Sequence, residues 1–232
     1  MSSITSERVA DGAVALITMD DGKANALTKD AITTLVSLVD EAVADPLLAG
    51  IVLAGREGRF SGGFDLNVMR SGDFQAMVDL VADGGNLVRH LYRSEIPIVA
   101  ACTGHAIAAG AFMLLGCDMR VGAAGDYKIG MNEVAIGMVL PDWAMTISRE
   151  RVSKLHLQRA VATARLTNAE DAADVGFIDV VVPLEDVVPR AIEEAASYAA
   201  LDRGAYAQTM QNFRGDVSNT MAAQVEKDRT VA

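Results

Sequence analysis

The chain has 232 residues, 51% of them hydrophobic, which is typical of one large folded domain or of a domain with a helical appendage. Its formal net charge is -11 at pH 7, with acidic and basic residues interspersed, which argues against nucleic acid or an anionic membrane surface as a partner. The apolar runs are too short to cross a bilayer, so we expect no membrane span.

The two cysteines indicate a reducing compartment. Cys102 and Cys117 both lie in apolar segments, and the N-terminus carries no secretory signal. Such cysteines are typical of reduced core residues, so we expect a cytoplasmic protein. No group of His, Cys and carboxylate residues has the spacing of metal ligands, and we expect no metal site.

The first elements in the chain are a hairpin and an amphipathic helix. An Asp-Gly pair separates two strand-like runs in VADGAVALITMD, which is a good hairpin signal. The next segment, TKDAITTLVSLVDEAVAD, predicts a helix capped by Thr28. Its apolar stripe comprises Ala31, Ile32, Leu35, Val39, Ala42 and Val43.

Three further units each begin with a buried strand. Their strands are GIVLAG, IPIVAAC and DMRVGA, and the third unit continues into KIGMNEVAIGM at residues 128–138. After Pro141 the sequence is mostly helical, with one more strand in FIDVVVP and two closing helices over residues 184–229. Strands and crossover helices at this spacing predict an α/β fold built from right-handed parallel units.

Two loops of small residues follow the first two of these strands. They are Ser61-Gly62-Gly63 and Ala108-Ala109-Gly110. Loops at the carboxyl ends of parallel strands bind ligands, and small residues let a ligand approach the backbone N–H groups. Taken alone, each loop is also compatible with an ordinary tight turn. Together they predict an oxyanion site, which the positive end of the following helix would strengthen.

Glu133 stands in an otherwise apolar, strand-like run. A carboxylate taken from water without a partner is costly, so this residue needs a partner, an exit to solvent or a chemical role. A solvated face or a strand end is the structural alternative.

Four motifs together resemble the crotonase superfamily, also called the enoyl-CoA hydratase/isomerase family. They are KANAL at 23–27, FSGGFDL at 60–66, GHAIAAG followed by CD at 104–118, and GMNEVAIGM at 130–138. The resemblance extends from about residue 7 to residue 190. It implies a spiral of ββα repeats over a core of residues 1–185, with a helical region at 186–232. It also implies an acyl-CoA thioester substrate, no separate cofactor, and a homotrimer or a dimer of trimers.

The same resemblance assigns roles to individual residues. The thioester oxygen would be held by the N–H groups of Gly62 and Ala109. The adenine and pantetheine would lie along Lys23, Ala24, Ala26 and Leu27. The first loop would contribute further substrate contacts through Ser61, Gly63 and Phe64, with Asp65 as a helix cap.

One departure from the family pattern indicates the reaction. Hydratases of this family use two glutamates, and here the first position is Phe112 and the second is Glu133. The motif GMNE resembles the delta-3-delta-2-enoyl-CoA isomerases, which work with one carboxylate. We therefore expect Glu133 to act as the base of a double-bond shift, with Phe112 as an apolar wall of the acyl pocket.

Two alternatives remain open. Asp142 and Trp143 are expected near the acyl pocket, and Asp142 would there restore a second acid for an enoyl-CoA hydratase or an acyl-CoA hydrolase. A non-catalytic acyl-CoA-binding regulator is the other alternative. The presence of Glu133 beside both loops argues against it.

Overall fold

The structure is a computed structural model that describes residues 4–230, and its strands fall into three sheets. The strands β1 to β11 are Ile4–Val9, Val14–Met19, Ala26–Leu27, Gly50–Gly55, Gly58–Ser61, Gly63–Phe64, Ile98–Cys102, Gly104–Ile107, Met119–Ala123, Ile129–Gly130 and Val180–Val182. The helices α1 to α9 are Lys29–Ala44, Leu66–Met69, Phe74–Tyr92, Ala109–Gly116, Asp142–Arg151, Leu157–Ala162, Ala169–Val175, Leu184–Ser197 and Arg203–Thr230.

The sheets follow a repeating pattern. The largest has the order β1-β2-β4-β7-β9-β11, in which β1 is antiparallel to β2 and every other pair is parallel. The strands β10, β8 and β5 form a second parallel sheet, and β3 pairs with β6. Each unit thus gives its first strand to the large sheet and its second to a smaller one. This arrangement confirms the predicted spiral of ββα repeats.

Local signals in the sequence account for the first two elements. The chain reverses between β1 and β2 through Asp11 and Gly12, both at positive φ, and the Gly12 N–H donates to the carbonyl of Val9 at 3.1 Å. Helix α1 begins after Thr28, whose hydroxyl accepts the N–H of Ala31 at 3.1 Å. The predicted hairpin and cap are both confirmed.

The inner strands of the large sheet are buried on both faces, whereas the edge strand β1 is mostly exposed. Strand β4 sends Ile51 and Leu53 into one hydrophobic cluster and Val52 and Ala54 into another. Helix α8 covers the second cluster with one apolar stripe, formed by Val187, Ala191 and Ala195. The predicted boundary at residue 185 therefore lies in the first turn of a helix that packs directly on the core sheet.

The stretch KIGMNEVAIGM is not the buried strand that its composition suggests. Only Ile129–Gly130 forms a strand, and a short 3-10 helix follows at Val134–Ile136. The N–H groups of Ile136 and Met138 both donate to the carbonyl of Glu133, which folds the chain into a tight turn. This turn exposes the apolar side chains after Glu133, while Glu133 itself is buried.

The long helix α9 lies against α3 and α5, where Met221 and Val225 are buried. No helix within residues 4–230 combines the length and apolar character that a membrane span requires.

Candidate active site

A buried asparagine joins the KANAL segment to the loop at residues 60–65. Asn25 has φ 50° and is 4% exposed, and its amide donates to the carbonyls of Met19, Arg59 and Phe60 at 2.8, 3.2 and 3.2 Å. The sequence analysis missed this residue. Asparagine is one of the few residues that tolerate positive φ. An asparagine between the small residues of this segment could therefore have indicated a left-handed backbone position here.

Two expected substrate contacts are structural instead. The hydroxyl of Ser61 is fully buried, donates to the carbonyl of Asn25 at 2.8 Å and accepts the N–H of Gly63 at 3.2 Å. Leu27 is 2% exposed and packs in the core. Their side chains are therefore unavailable to a ligand, and both assignments are corrected. Lys23 and Ala24 are exposed and Ala26 is half-buried, so their contact with coenzyme A stays a prediction.

The assignment of the first oxyanion donor to Gly62 is also wrong. The Gly62 N–H donates to the carbonyl of Ala24 at 2.8 Å, so it cannot serve a thioester oxygen without breaking this bond. Small residues in the loop signalled a site, but they did not indicate which N–H group is already occupied.

The strand register indicates that the N–H of Phe64 is the available donor of the first loop. Strand β6 runs parallel to β3, and the N–H of Asp65 donates to the carbonyl of Leu27 at 3.2 Å. Alternate residues of a strand bond to the same neighbour, so the N–H groups of Gly63 and Asp65 face β3. The N–H of Phe64 therefore points to the opposite side, away from this ladder.

The second loop offers Ala109, the first residue of α4. An N–H group in the first turn of a helix has no acceptor within that helix. The N–H groups of Ala111 and Phe112, two and three residues further on, donate to the carbonyl of Ala108. Ala108 itself adopts φ 54° and ψ -122°, which turns the chain sharply into the helix.

Glycines bring the two loops into contact. A Cβ placed on Gly63, which has φ +91°, would lie 3.1 Å from the Cβ of Ala108 and 3.4 Å from the nitrogen of Ala109. A Cβ on Gly110 would lie 2.4 Å from the carbonyl oxygen of Ser61. Glycine at both positions therefore allows the approach of the two loops.

Glu133 is the one acidic residue that is buried within residues 4–230, with 7% exposure. Its Oε2 has no hydrogen-bond partner among the described residues, and none of them forms an ion pair with it. Burial raises the pKa of Glu133, and the backbone N–H groups of Glu133 and Asn132 oppose this effect. The carboxyl is thus suited to exchange a proton with a ligand.

Strand pairing places Glu133 close to the second loop in the fold. The N–H of Ala108 donates to the carbonyl of Gly130 at 3.0 Å, and β10 is parallel to β8. Glu133 follows Gly130 by three residues, and Ala109 follows Ala108 directly. The structure thus brings the chain segments of both groups together.

Phe112 and Trp143 form a closed aromatic pair. Phe112 is 1% exposed and Trp143 is fully buried, and their ring centroids lie 5.3 Å apart in an edge-to-face arrangement. Both side chains belong to the main hydrophobic cluster, so Phe112 has apolar surroundings. A role for either ring in the acyl pocket stays a prediction.

Asp142 does not supply a second buried acid. Its side chain is 53% exposed, and its carboxylate pairs with Lys227 Nζ at 3.0 Å. Asp65 behaves as expected, because its carboxylate caps α2 by accepting the N–H of Asn67 at 2.9 Å. Within residues 4–230, no group of three or more His, Cys, Asp and Glu side chains could hold a metal ion.

Comparison with known proteins gives one family. The family model described as "Enoyl-CoA hydratase/isomerase" matches residues 10–232. "Enoyl-CoA delta isomerase 1, mitochondrial" of Homo sapiens is 28% identical over 228 residues, which cover 94% of this chain and 73% of that protein.

Solved structures agree with this match. An enoyl-CoA hydratase/isomerase family protein from Pseudomonas syringae is 35% identical, with TM-score 0.93 and coverage of 98% of this chain and 96% of that chain. An enoyl-CoA hydratase from Mycobacterium ulcerans is 37% identical, with TM-score 0.92 and coverage of 98% of each chain. The relatives therefore include proteins named for isomerisation and for hydration.

Proposed function

Because the chain belongs to the enoyl-CoA hydratase/isomerase family, the crotonase superfamily, we propose that it moves the double bond of a 3-enoyl-CoA to the C2–C3 position. The observation that carries this proposal is the Glu133 carboxylate, which is the one buried carboxylate among residues 4–230 and has an oxygen without a hydrogen-bond partner there. Phe112 occupies the position at which hydratases of the family carry their first glutamate. A reaction that needs one base fits this pair of residues better than a reaction that needs two.

The double-bond shift requires one proton to leave and one to return. The Glu133 carboxylate removes a proton from C2, and the electron pair moves towards the thioester oxygen to give a dienolate. The protonated carboxyl then returns a proton at C4, which leaves the double bond between C2 and C3. No water is consumed and no net oxidation occurs, so no cofactor is required beyond the coenzyme A of the substrate.

The dienolate oxygen needs donors that are fixed before the reaction. We assign this role to the N–H groups of Phe64 and Ala109, because the strand register and the helix start leave them unoccupied. The N-terminus of α4 adds the positive end of its dipole. In this proposal Lys23, Ala24 and Ala26 line the coenzyme A, and the protein is a cytoplasmic homotrimer or dimer of trimers.

Hydration is the second candidate, and it is favoured by the name of the Mycobacterium ulcerans relative. Addition of water across a conjugated double bond needs a group to activate the water and a proton donor at C2. A phenyl ring at Phe112 can do neither, and the carboxylate of Asp142 is paired with Lys227 at the surface. We therefore place isomerisation first.

Two substrates distinguish the candidates. The protein is incubated separately with a 3-enoyl-CoA and a 2-enoyl-CoA, and the absorbance of the conjugated thioester is followed. Isomerisation predicts a rise with the first substrate and little change with the second. A fall with the second substrate would instead show hydration. Tight binding of both with no absorbance change would indicate a non-catalytic acyl-CoA-binding regulator.

A further inference from the structure

The last turns of α9, residues 218–230, lie against α3 and α5 and bring Val225 close to Trp143, one ring of the aromatic pair. A Cβ placed on Gly85 of α3 would lie 2.8 Å from both Trp143 Nε1 and Val225 Cγ2. The indole of Trp143 is thus enclosed by Phe112 on one side and by Gly85 and Val225 on another. In the proposed site, where Phe112 is a wall of the acyl pocket, an acyl chain that runs past Phe112 towards Trp143 would meet this closed contact.

The packing around the indole is imperfect in one respect. Trp143 is fully buried, yet its Nε1–H has no acceptor among the described residues. An unsatisfied buried donor costs free energy, so this contact is less stable than its burial alone suggests. Separation of Val225 from the indole would let water reach that N–H group.

The middle of α9 is anchored firmly. Arg214 is buried, its guanidinium pairs with Asp118 at 2.9 Å and donates to the carbonyl of Tyr92 at 2.9 Å, and it lies 4.7 Å from the centre of the Tyr92 ring. Removing one partner of a buried ion pair is strongly destabilising. We therefore expect this part of the helix to stay in place.

The end of α9 is held by a different kind of contact. At its start the carbonyl of Ser218 accepts the Nε–H of Arg89 at 3.0 Å. The polar contacts with α3 and α5 beyond Ser218, which we call the α9 clasp, are Lys227–Asp142, Arg229–Asp79, Arg229–Asp83 and Gln224–Thr146. Lys227 and Asp142 are 64% and 53% exposed, and such surface pairs contribute little and are screened by salt. Burial, and after it the repulsion from the nearby charge of Asp142, raises the pKa of Asp228.

The clasp and the indole are joined directly. Asp142 and Trp143 are neighbours in the first turn of α5, and Val225 and Lys227 lie two residues apart on α9. Release of the clasp therefore frees the same turn of α9 that covers the indole.

From these contacts we propose that residues 218–230 form a gate at the distal end of the acyl site, and that Trp143, Gly85 and Val225 set the acyl chain length it admits. Short chains end before the indole and do not need the gate to open. Longer chains displace Val225 and break the clasp. This inference rests on the proposed acyl-CoA function, but it concerns binding and not the proton transfer.

Unreactive ligands test the gate separately from the chemistry. Affinities are measured for S-hexyl-CoA and S-dodecyl-CoA, thioethers that cannot form a dienolate, with the parent chain and Lys227→Met. We expect the variant to bind the dodecyl compound about two- to five-fold more tightly, the scale of one exposed ion pair, and the hexyl compound unchanged. The control is Lys154→Met, which removes another exposed lysine and should alter neither affinity.

Hydrogen exchange in the parent chain provides the second measurement. Amides of residues 218–230 should exchange faster with S-dodecyl-CoA bound than with S-hexyl-CoA bound, while those around Arg214 should be unaffected. Equal effects of Lys227→Met on both affinities, or equal exchange with both ligands, would overturn the gate and leave the proposed function standing. Failure of both thioethers to bind would overturn the gate and the proposed function together.

Discussion

Glu133 is the proposed base, and burial of its charged carboxylate destabilises the folded state. Burial raises its pKa above the ordinary value of 4.5, so the folded chain binds this proton more tightly than the unfolded chain does. Its contribution to stability is therefore complete below pH 4.5 and is lost as the pH rises through the raised folded value.

Replacement of Glu133 by glutamine removes this contribution to the pH dependence of stability. We expect Glu133→Gln to be more stable than the parent chain at pH 8 and to lose that advantage at pH 4, because the parent carboxyl is neutral there. Urea unfolding at the two pH values measures the difference. A stability difference that is the same at both would show that the carboxyl is not destabilised by burial.

Asn25 determines the shape of the first loop by its backbone and its amide together. We expect Asn25→Ala to lower the free energy of unfolding by about 2–4 kcal/mol, because it leaves buried carbonyls without their donor and places alanine at positive φ. Asn25→Gly should recover about 1 kcal/mol of this loss, since glycine tolerates the same φ. Urea unfolding of both variants measures this. Equal losses would mean that the backbone angle has no energetic effect.

In the proposed site, the start of α4 presents the second oxyanion donor, the N–H of Ala109. Proline is accepted at the first position of a helix, where its missing N–H has no acceptor within the helix. Ala108 lies outside the backbone region that a residue before proline prefers, so circular dichroism must first show that Ala109→Pro has folded. We expect the folded variant to lower turnover of 3-enoyl-CoA by about 100-fold or more, the scale of one lost oxyanion donor.

Ala109→Ser is the matched control, because serine keeps the backbone N–H. It should fold and retain most of the turnover. A folded Ala109→Pro variant with the activity of this control would remove Ala109 from the proposed oxyanion site.

Elements that depend on local signals could be predicted from the sequence, and those that depend on strand pairing could not. The Asp11-Gly12 turn and the Thr28 cap act within a few residues, and both are present. The occupation of the Gly62 N–H depends on the distant carbonyl of Ala24. The turn around Glu133 likewise exposes apolar side chains that composition alone assigns to a strand.

For the molecule as a whole, the motifs and the order of strands and helices were sufficient to predict the spiral of ββα repeats and the family. They did not predict that Asp142 pairs with Lys227, 85 residues later, because nothing in either segment indicates that α9 lies along α5. Contacts between segments distant in sequence therefore determine whether an expected site residue, such as Asp142, is available to a ligand.

The central claim is that one buried carboxylate transfers the proton in a double-bond shift. Single-turnover isomerisation of a 3-enoyl-CoA by the parent chain, Glu133→Gln and the exposed control Glu57→Gln tests it most directly. We expect Glu133→Gln to bind S-hexyl-CoA within a few-fold of the parent and to isomerise about a thousand-fold more slowly, with Glu57→Gln unchanged. Full isomerisation by Glu133→Gln would contradict the claim.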